Sequence, residues 1–263
     1  MKNKKLIIFL SIFVFLAVIV ILSSTVFSLK SVEVKFLADT SKLTGRETEI
    51  LQSVDFKYKE SIFFSNKKAY IQNLEKQNPY LRVVNIETKF PNKLVVNCVE
   101  REECYVIKLS SNKYAVTDEY LKVLNILNVY QNSITNPIEI KNSGLATQEV
   151  EIGDFFKIND DYLTQIFKSF REWNLDYSAL KEKITSIELD YEKQNTLLVN
   201  MRSGVQIEIE NSKVQLSDKL NLAFSFYDTK KDKNNNDVDY TQSGIIFITE
   251  TADKIYGLYR PME

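Results

Sequence analysis

The chain has 263 residues, 44% of them hydrophobic and 26% charged, the values of a folded globular protein. Its net charge of −1 gives no electrostatic footprint for nucleic acid, and only 6 glycines and 4 prolines argue against a flexible linker protein or a glycine-rich phosphate-binding fold. Histidine is absent, which excludes His-based metal sites, the Ser-His-Asp triad and Cys-His nucleophiles together.

At the N-terminal end, Leu6 to Leu29 carries no charged residue. At ~1.5 Å per residue such a helix crosses a hydrocarbon core of ~30 Å. Lys2, Lys4 and Lys5 precede it and predict a cytoplasmic N-terminus, although Lys30 and Lys35 follow and weaken the asymmetry. The alternative is a cleaved signal peptide with Val26-Phe27-Ser28 as its cleavage site. Signal-peptide apolar regions run ~7–15 residues, which favours an uncleaved anchor. The reading is a cytoplasmic tail at 1–5, a transmembrane signal anchor at 6–29, and everything that works on the extracytoplasmic side.

Val32, Val34 and Phe36 alternate with Glu33 and Lys35, a short strand. Thr44 and Glu47 have capping-box spacing and predict a helix through Ile50, Leu51 and Val54. Ser65 is placed to cap a second helix that carries Ala69, Tyr70, Ile71 and Leu74 on one side. Asn78-Pro79 ends that helix. Val84, Ile86, Thr88 and Phe90 then alternate with Val83, Asn85, Glu87 and Lys89. After the Pro91-Asn92 turn, Leu94, Val96 and Cys98 share one face of a second strand. Val84, Ile86, Leu94 and Val96 are the expected core of this hairpin, and Glu100-Arg101-Glu102-Glu103 is a charged stop.

The order of Ile62-Phe63, a helix with Ile71 and Leu74, Pro79, Val83, Ile86, Pro91, Leu94 and Glu100-Arg101 resembles the POTRA domain of the bacterial FtsQ/DivIB cell-division family. Strand, helix, helix, strand, strand is the order that resemblance implies for residues 30–102. One departure stands out: Phe36-Leu37-Ala38-Asp39 occupies the place of the family's Gly-Asn pair, so the connection there is expected to be irregular.

Beyond it, residues 103–249 read as a second, mixed α/β domain with a largely antiparallel sheet, which makes the whole chain α+β. Tyr105, Val106, Ile107 and Leu109 open this domain. Tyr114 to Asp118 and Leu121 to Leu124 give strand, turn, strand. Asp118 reads as a turn residue bonding its own backbone rather than as a catalytic group. Pro137 to Ile140 and Gly153 flank loop and short strand. Tyr162, Ile166, Phe170 and Trp173 recur at helical spacing and read as core. Ile184, Ile187 and Leu189 lead to Thr196–Met201. Ser203-Gly204 then turns into Val205, Ile207 and Ile209, a hairpin. A helix carries Val214, Leu216, Leu220, Ala223, Phe224 and Tyr227, with Lys219-Leu220 where the family has Lys-Leu. Lys230 to Asp239 reads as a solvated loop. Gly244 to Ile248 is the last strand, and Ile246 stands where the family often has an Asp. Residues 250–263 read as a tail. The two cysteines, Cys98 and Cys104, read as reduced thiols, with a disulfide chemically open outside the membrane.

No nucleophile motif or phosphate loop is present, and adjacent acids such as Glu102-Glu103 or Asp160-Asp161 read as solvated surface rather than acid–base pairs. The expectation is a protein that is not an enzyme and needs no cofactor and no metal. The resemblance implies a single-pass scaffold at the division septum, holding small coiled-coil membrane proteins of the FtsB/DivIC and FtsL type, with no nucleic acid and no small-molecule substrate. The alternatives are a membrane-anchored POTRA protein of envelope assembly or secretion, and an extracytoplasmic enzyme. Ile245 and Phe247 alternate with Ile246 and Ile248, so both faces of the last strand are apolar. In the family a partner segment adds a strand near this C-terminal region. Gly244, Ile245, Ile246, Phe247, Ile248 and Thr249 are therefore the expected pairing strand, with Tyr256 and Tyr259 as aromatic contacts. The other reading is that the tail folds back and pairs this strand internally.

Overall fold

A 24-residue helix, α1 (Lys2–Thr25), opens the computed structural model, which describes residues 2–131, 137–173, 177–191, 193, 195–229, 237, 243–251 and 254–261. Its described side chains, 9–21 and 25, are apolar except Ser11 and Thr25, and all are exposed. Among the described residues no helix is long and apolar enough to cross a membrane. The apolar segment read as 6–29 is not helical to its end. Phe27 accepts the amide of Ile62 at 2.9 Å, Ser28 bridges Ser61, and Leu29 is buried in the core that follows. Val26 to Leu29 therefore belongs to the folded unit rather than to the helix.

The chain divides into two units, Met1–Arg101 and Glu102–Glu263. In the first, β1 (Ser31–Phe36), α2 (Glu47–Gln52), α3 (Lys67–Gln77), β2 (Leu81–Lys89) and β3 (Lys93–Glu100) follow in sequence. The sheet order is β1-β3-β2, with β1 parallel and β2 antiparallel to the central β3. Leu94, Val96 and Cys98 on β3 are fully buried with Ile50, Tyr70, Leu74, Leu81 and Ile86. Burial raises the Cys98 thiol to about 11 and raises Cys104 further; both cysteines are free.

Three expectations differ in detail. A bulge between Val83 and Asn85 inserts one residue into β2, so Val83 turns inward and Val84 outward, 8% and 51% exposed. Val84 is thus not core, whereas Ile86, Leu94 and Val96 are. The cap of α3 is Asn66, whose side chain accepts the Ala69 amide at 3.1 Å, while Ser65 donates to the Ile62 carbonyl. The capping box at Thr44 does not form, because the Thr44 hydroxyl donates to the Thr40 carbonyl and α2 starts without a side-chain cap.

The Glu100-Arg101 pair closes this unit. Arg101 is buried, donates to the Leu81 carbonyl at 3.1 Å and pairs with Glu75 of α3 at 2.8 Å. Glu75 in turn accepts the Val83 amide at 2.8 Å. Glu100 accepts the amides of Ser41 and Lys42 at 2.8 and 2.9 Å, which pins the irregular connection after β1. A carboxylate taking two main-chain donors replaces the local turn chemistry a Gly-Asn pair would supply.

The second unit is one sheet. Its strands are β4 (Tyr105–Lys108), β5 (Tyr114–Thr117), β6 (Val123–Leu127), β7 (Ile138–Lys141), β8 (Ile184–Asp190), β9 (Thr196–Met201), β10 (Gln206–Ile209), β11 (Gly244–Glu250) and β12 (Ile255–Pro261). They lie in the order β12-β11-β10-β9-β8-β7-β4-β5-β6. The β4–β7, β7–β8 and β10–β11 pairs are parallel and the rest antiparallel. Helices α4 (Asp161–Trp173), α5 (Tyr177–Lys183) and α6 (Leu216–Thr229) accompany it. Tyr162, Ile166 and Phe170 of α4 are buried as the spacing predicts; the Trp173 side chain and most of the 230–239 loop lie outside the described residues. Asp118 accepts the amides of Tyr120 and Lys122, both at 2.9 Å, the geometry of a turn residue.

Candidate partner-binding edge

Strand β11 is built to be covered on both faces. Ile246 and Ile248 are fully buried, while Ile245 and Phe247 on the opposite face are half-buried. Both of its edges are also taken. It pairs in parallel with β10, Ile207 opposite Ile246, and antiparallel with β12, Ile246 opposite Tyr259. Gly244 to Thr249 therefore cannot receive a partner's strand while β12 is in place, and the fold-back reading is the one the chain adopts. The signal lies in the sequence: apolar runs on either side of Thr251-Ala252-Asp253-Lys254 are a hairpin pattern, and Thr251 donates to the Lys254 carbonyl at 2.9 Å.

The edge passes to β12. Among the described residues β12 has one neighbour, β11. Ladder bonds in an antiparallel pair fall on alternate residues. Counting from the Thr251–Lys254 bond, they fall on Tyr256, Leu258 and Arg260, so the amides and carbonyls of Ile255 and Gly257 point away from β11. The side chains sort by face. Ile255 and Tyr259 pack on the core, and the Tyr259 phenol lies directly over Gly244, leaving no room for a Cβ there. Gly257 has the same close-fit role: a Cβ there would stand 3.1 Å from Phe226 of α6 and 3.3 Å from Ile248. On the other face Tyr256 is exposed, Leu258 lies opposite Phe247, and the Arg260 guanidinium stacks 5.2 Å from the Phe247 ring. Tyr256 and Tyr259, taken together from the sequence, thus point to opposite faces.

A buried lysine that sequence reasoning left as a motif position holds this corner together. Lys219 of α6 is fully buried. Its Nζ donates to the carbonyls of Glu210 and Asn211 just after β10, at 3.0 and 2.9 Å, and pairs with Glu250 at the end of β11, at 2.9 Å. Asn211 adds a 2.7 Å bond to the same carboxylate. The Lys219 and Asn211 bonds hold the Glu250 carboxyl below the usual carboxylate range. Because β10 and β11 are parallel, the chain must cross over between them, and α6 with its lysine fixes that crossover.

With this architecture in hand, the comparisons are direct. Residues 27–101 match the family model for a POTRA domain of the FtsQ type. Two Clostridium botulinum proteins named cell division protein DivIB are similar over nearly the whole chain. The one from strain Hall is 26% identical over 254 residues, 94% of this chain and 92% of its own. The one from strain Loch Maree is 27% identical over 252 residues, with the same shares. The chain is thus similar to proteins of the FtsQ/DivIB family, in its POTRA domain and along most of its length. A Clostridium tetani protein also named DivIB is 24% identical over 207 residues, 76% of this chain and 69% of its own. The match to the FtsQ-type POTRA domain starts at Phe27, where the structure also leaves α1 and enters the fold. Among the described residues no group of three or more acids or cysteines is placed to hold a metal ion.

Proposed function

We propose that this cell-division protein is a single-pass membrane scaffold that acts at the septum, holding small coiled-coil membrane proteins of the FtsB/DivIC and FtsL type outside the cytoplasm. The anchor is α1, whose exposed apolar surface needs cover that the folded units do not supply. The recruiting and linking work belongs to the two extracytoplasmic units, and the chemistry is binding rather than catalysis. The observation that carries the reading is the outward edge of β12 on a chain similar to the FtsQ/DivIB family. A partner segment adds there as a tenth strand. Main-chain bonds to Ile255 and Gly257 supply affinity, and Tyr256, Leu258 and Arg260 supply side-chain contacts.

The test is a photo-crosslinking residue placed at Tyr256, and in parallel at Tyr191 on the turn after β8, in dividing cells that also carry a fluorescent fusion of the chain. The expected result is mid-cell fluorescence and a crosslink from position 256 to a small membrane division protein. Crosslinks from 191 and none from 256 move the site off β12, and uniform envelope fluorescence removes the septal reading.

A further inference from the structure

The first unit carries a cluster of exposed aromatic rings that the partner edge does not use. Phe63, Phe64 and Phe90 are 57%, 83% and 65% exposed. Phe63 and Phe90 cluster with Phe27, and Phe64 follows Phe63 in the chain. Phe27 and Phe63 stand 5.2 Å apart between ring centroids, Phe27 and Phe90 6.3 Å, and Phe63 and Phe90 5.7 Å. Main-chain bonds stitch their three segments together: the Ile62 amide to the Phe27 carbonyl at 2.9 Å, Leu29 to Glu60 at 2.8 Å, and Lys30 to Asn92 at 2.9 Å. Lys67 and Lys68, which start α3, line the same hollow as Phe63 and Phe90.

The position of Phe27 says what covers these rings. It follows the last residue of α1, Thr25, by two positions. Two residues reach at most about 7 Å. The headgroup layer on each side of a bilayer is about 5–8 Å deep. With α1 taken as the anchor proposed above, its 24 residues, about 36 Å, outrun a hydrocarbon core of ~30 Å. On that reading, rings tied to Phe27 come to the headgroup level, where aromatic side chains partition well and lysines meet anionic lipid.

We propose that Phe27, Phe63, Phe64 and Phe90, with Lys67 and Lys68, form a membrane-seating surface that presses the POTRA unit onto the outer face of an anionic bilayer. The proposal rests on the reading of α1 as the membrane anchor, and its test separates the two. The full chain is reconstituted into vesicles of phosphatidylcholine and phosphatidylglycerol in equal parts, with the acyl chains brominated near the glycerol. Trp173→Phe removes the only native tryptophan, and single reporters are added as Phe15→Trp in α1, Phe64→Trp in the cluster, and Leu37→Trp at the far end of β1. Position 37 lies about 20 Å along the strand from the cluster. Phe64 is exposed enough that the exchange disturbs no packing.

Expected is strong quenching at 15, loss of about half the emission at 64, and none at 37. Lys67→Glu with Lys68→Glu lowers the quenching at 64. Quenching at 15 with position 64 as bright as 37 overturns the seating surface and leaves the anchor standing. Equal quenching at 64 and 37 overturns it as well, because contact is then unspecific. No quenching at 15 removes the anchor and the proposal with it.

Discussion

Val83 and Val84 are adjacent, identical side chains that the β2 bulge sends to opposite sides of the POTRA sheet, so truncating each in turn reads the bulge directly. Val83→Ala removes two methyl groups from the core. At ~0.8 kcal/mol per buried carbon the transfer loss is about 1.6 kcal/mol, and the cavity raises it to about 2–3 kcal/mol. Val84 already has half its surface in water, and its truncation closes no cavity, so the cost is under ~1 kcal/mol. The gap of about 1–2 kcal/mol is a factor of about 5–30 in an opening equilibrium. A global denaturant midpoint mixes two units and blurs that gap. Native-state hydrogen exchange of peptides from β2 and β3 reads the POTRA sheet alone. Val83→Ala is expected to accelerate their exchange about 5–30-fold more than Val84→Ala does. Equal or reversed acceleration refutes the bulge and restores an unbroken alternation with Val84 inward.

Two further outcomes concern the C-terminal corner. Gly257→Leu places a side chain where even a Cβ would stand only 3.1 Å from Phe226, so β12 must lift from α6, and partner capture is expected to be lost while exchange in the POTRA peptides stays unchanged. Retained capture by a folded Gly257→Leu chain argues against β12 as the docking strand. The Glu250 carboxyl has a lowered folded-state pKa, so its contribution to stability is present above the ordinary value near 4.5 and is lost as pH falls through the folded value. A thermal-unfolding series against pH is therefore expected to fall less steeply in acid for Glu250→Gln than for the natural chain, and parallel curves sink that assignment.

Much of the first unit is legible in its residues because periodicity and punctuation agree. Asn78-Pro79 stops α3, Pro91-Asn92 turns the hairpin, and Leu94, Val96 and Cys98 alternate cleanly into the core. The bulge is invisible because Val83 and Val84 are the same residue, and an apolar pair satisfies either register. The cap moved by one position because Ser65 and Asn66 are both good caps, and only the geometry chooses between them. In the second unit, β12 is hidden by Gly257, which dilutes a strand pattern, and its purpose appears only with the Phe226 ring beside it. The expected site lay one strand away from the exposed edge. Sequence marks apolar strands well, but which of two neighbours ends a sheet is decided by long-range pairing.

The order of the sheet also sets an order in time. Strand β12 is the last of the second unit's strands in sequence, and it docks on β11, which itself needs the α6 crossover and its buried lysine. During synthesis the POTRA unit and strands β4 to β10 emerge before β12, the proposed docking strand, exists. A chain cut short before Ile255 leaves β11 as the terminal strand, with apolar side chains on both faces. Such a fragment presents an apolar ribbon, an aggregation hazard, in place of the proposed docking strand, so on that proposal only a chain that has reached β12 is ready to bind.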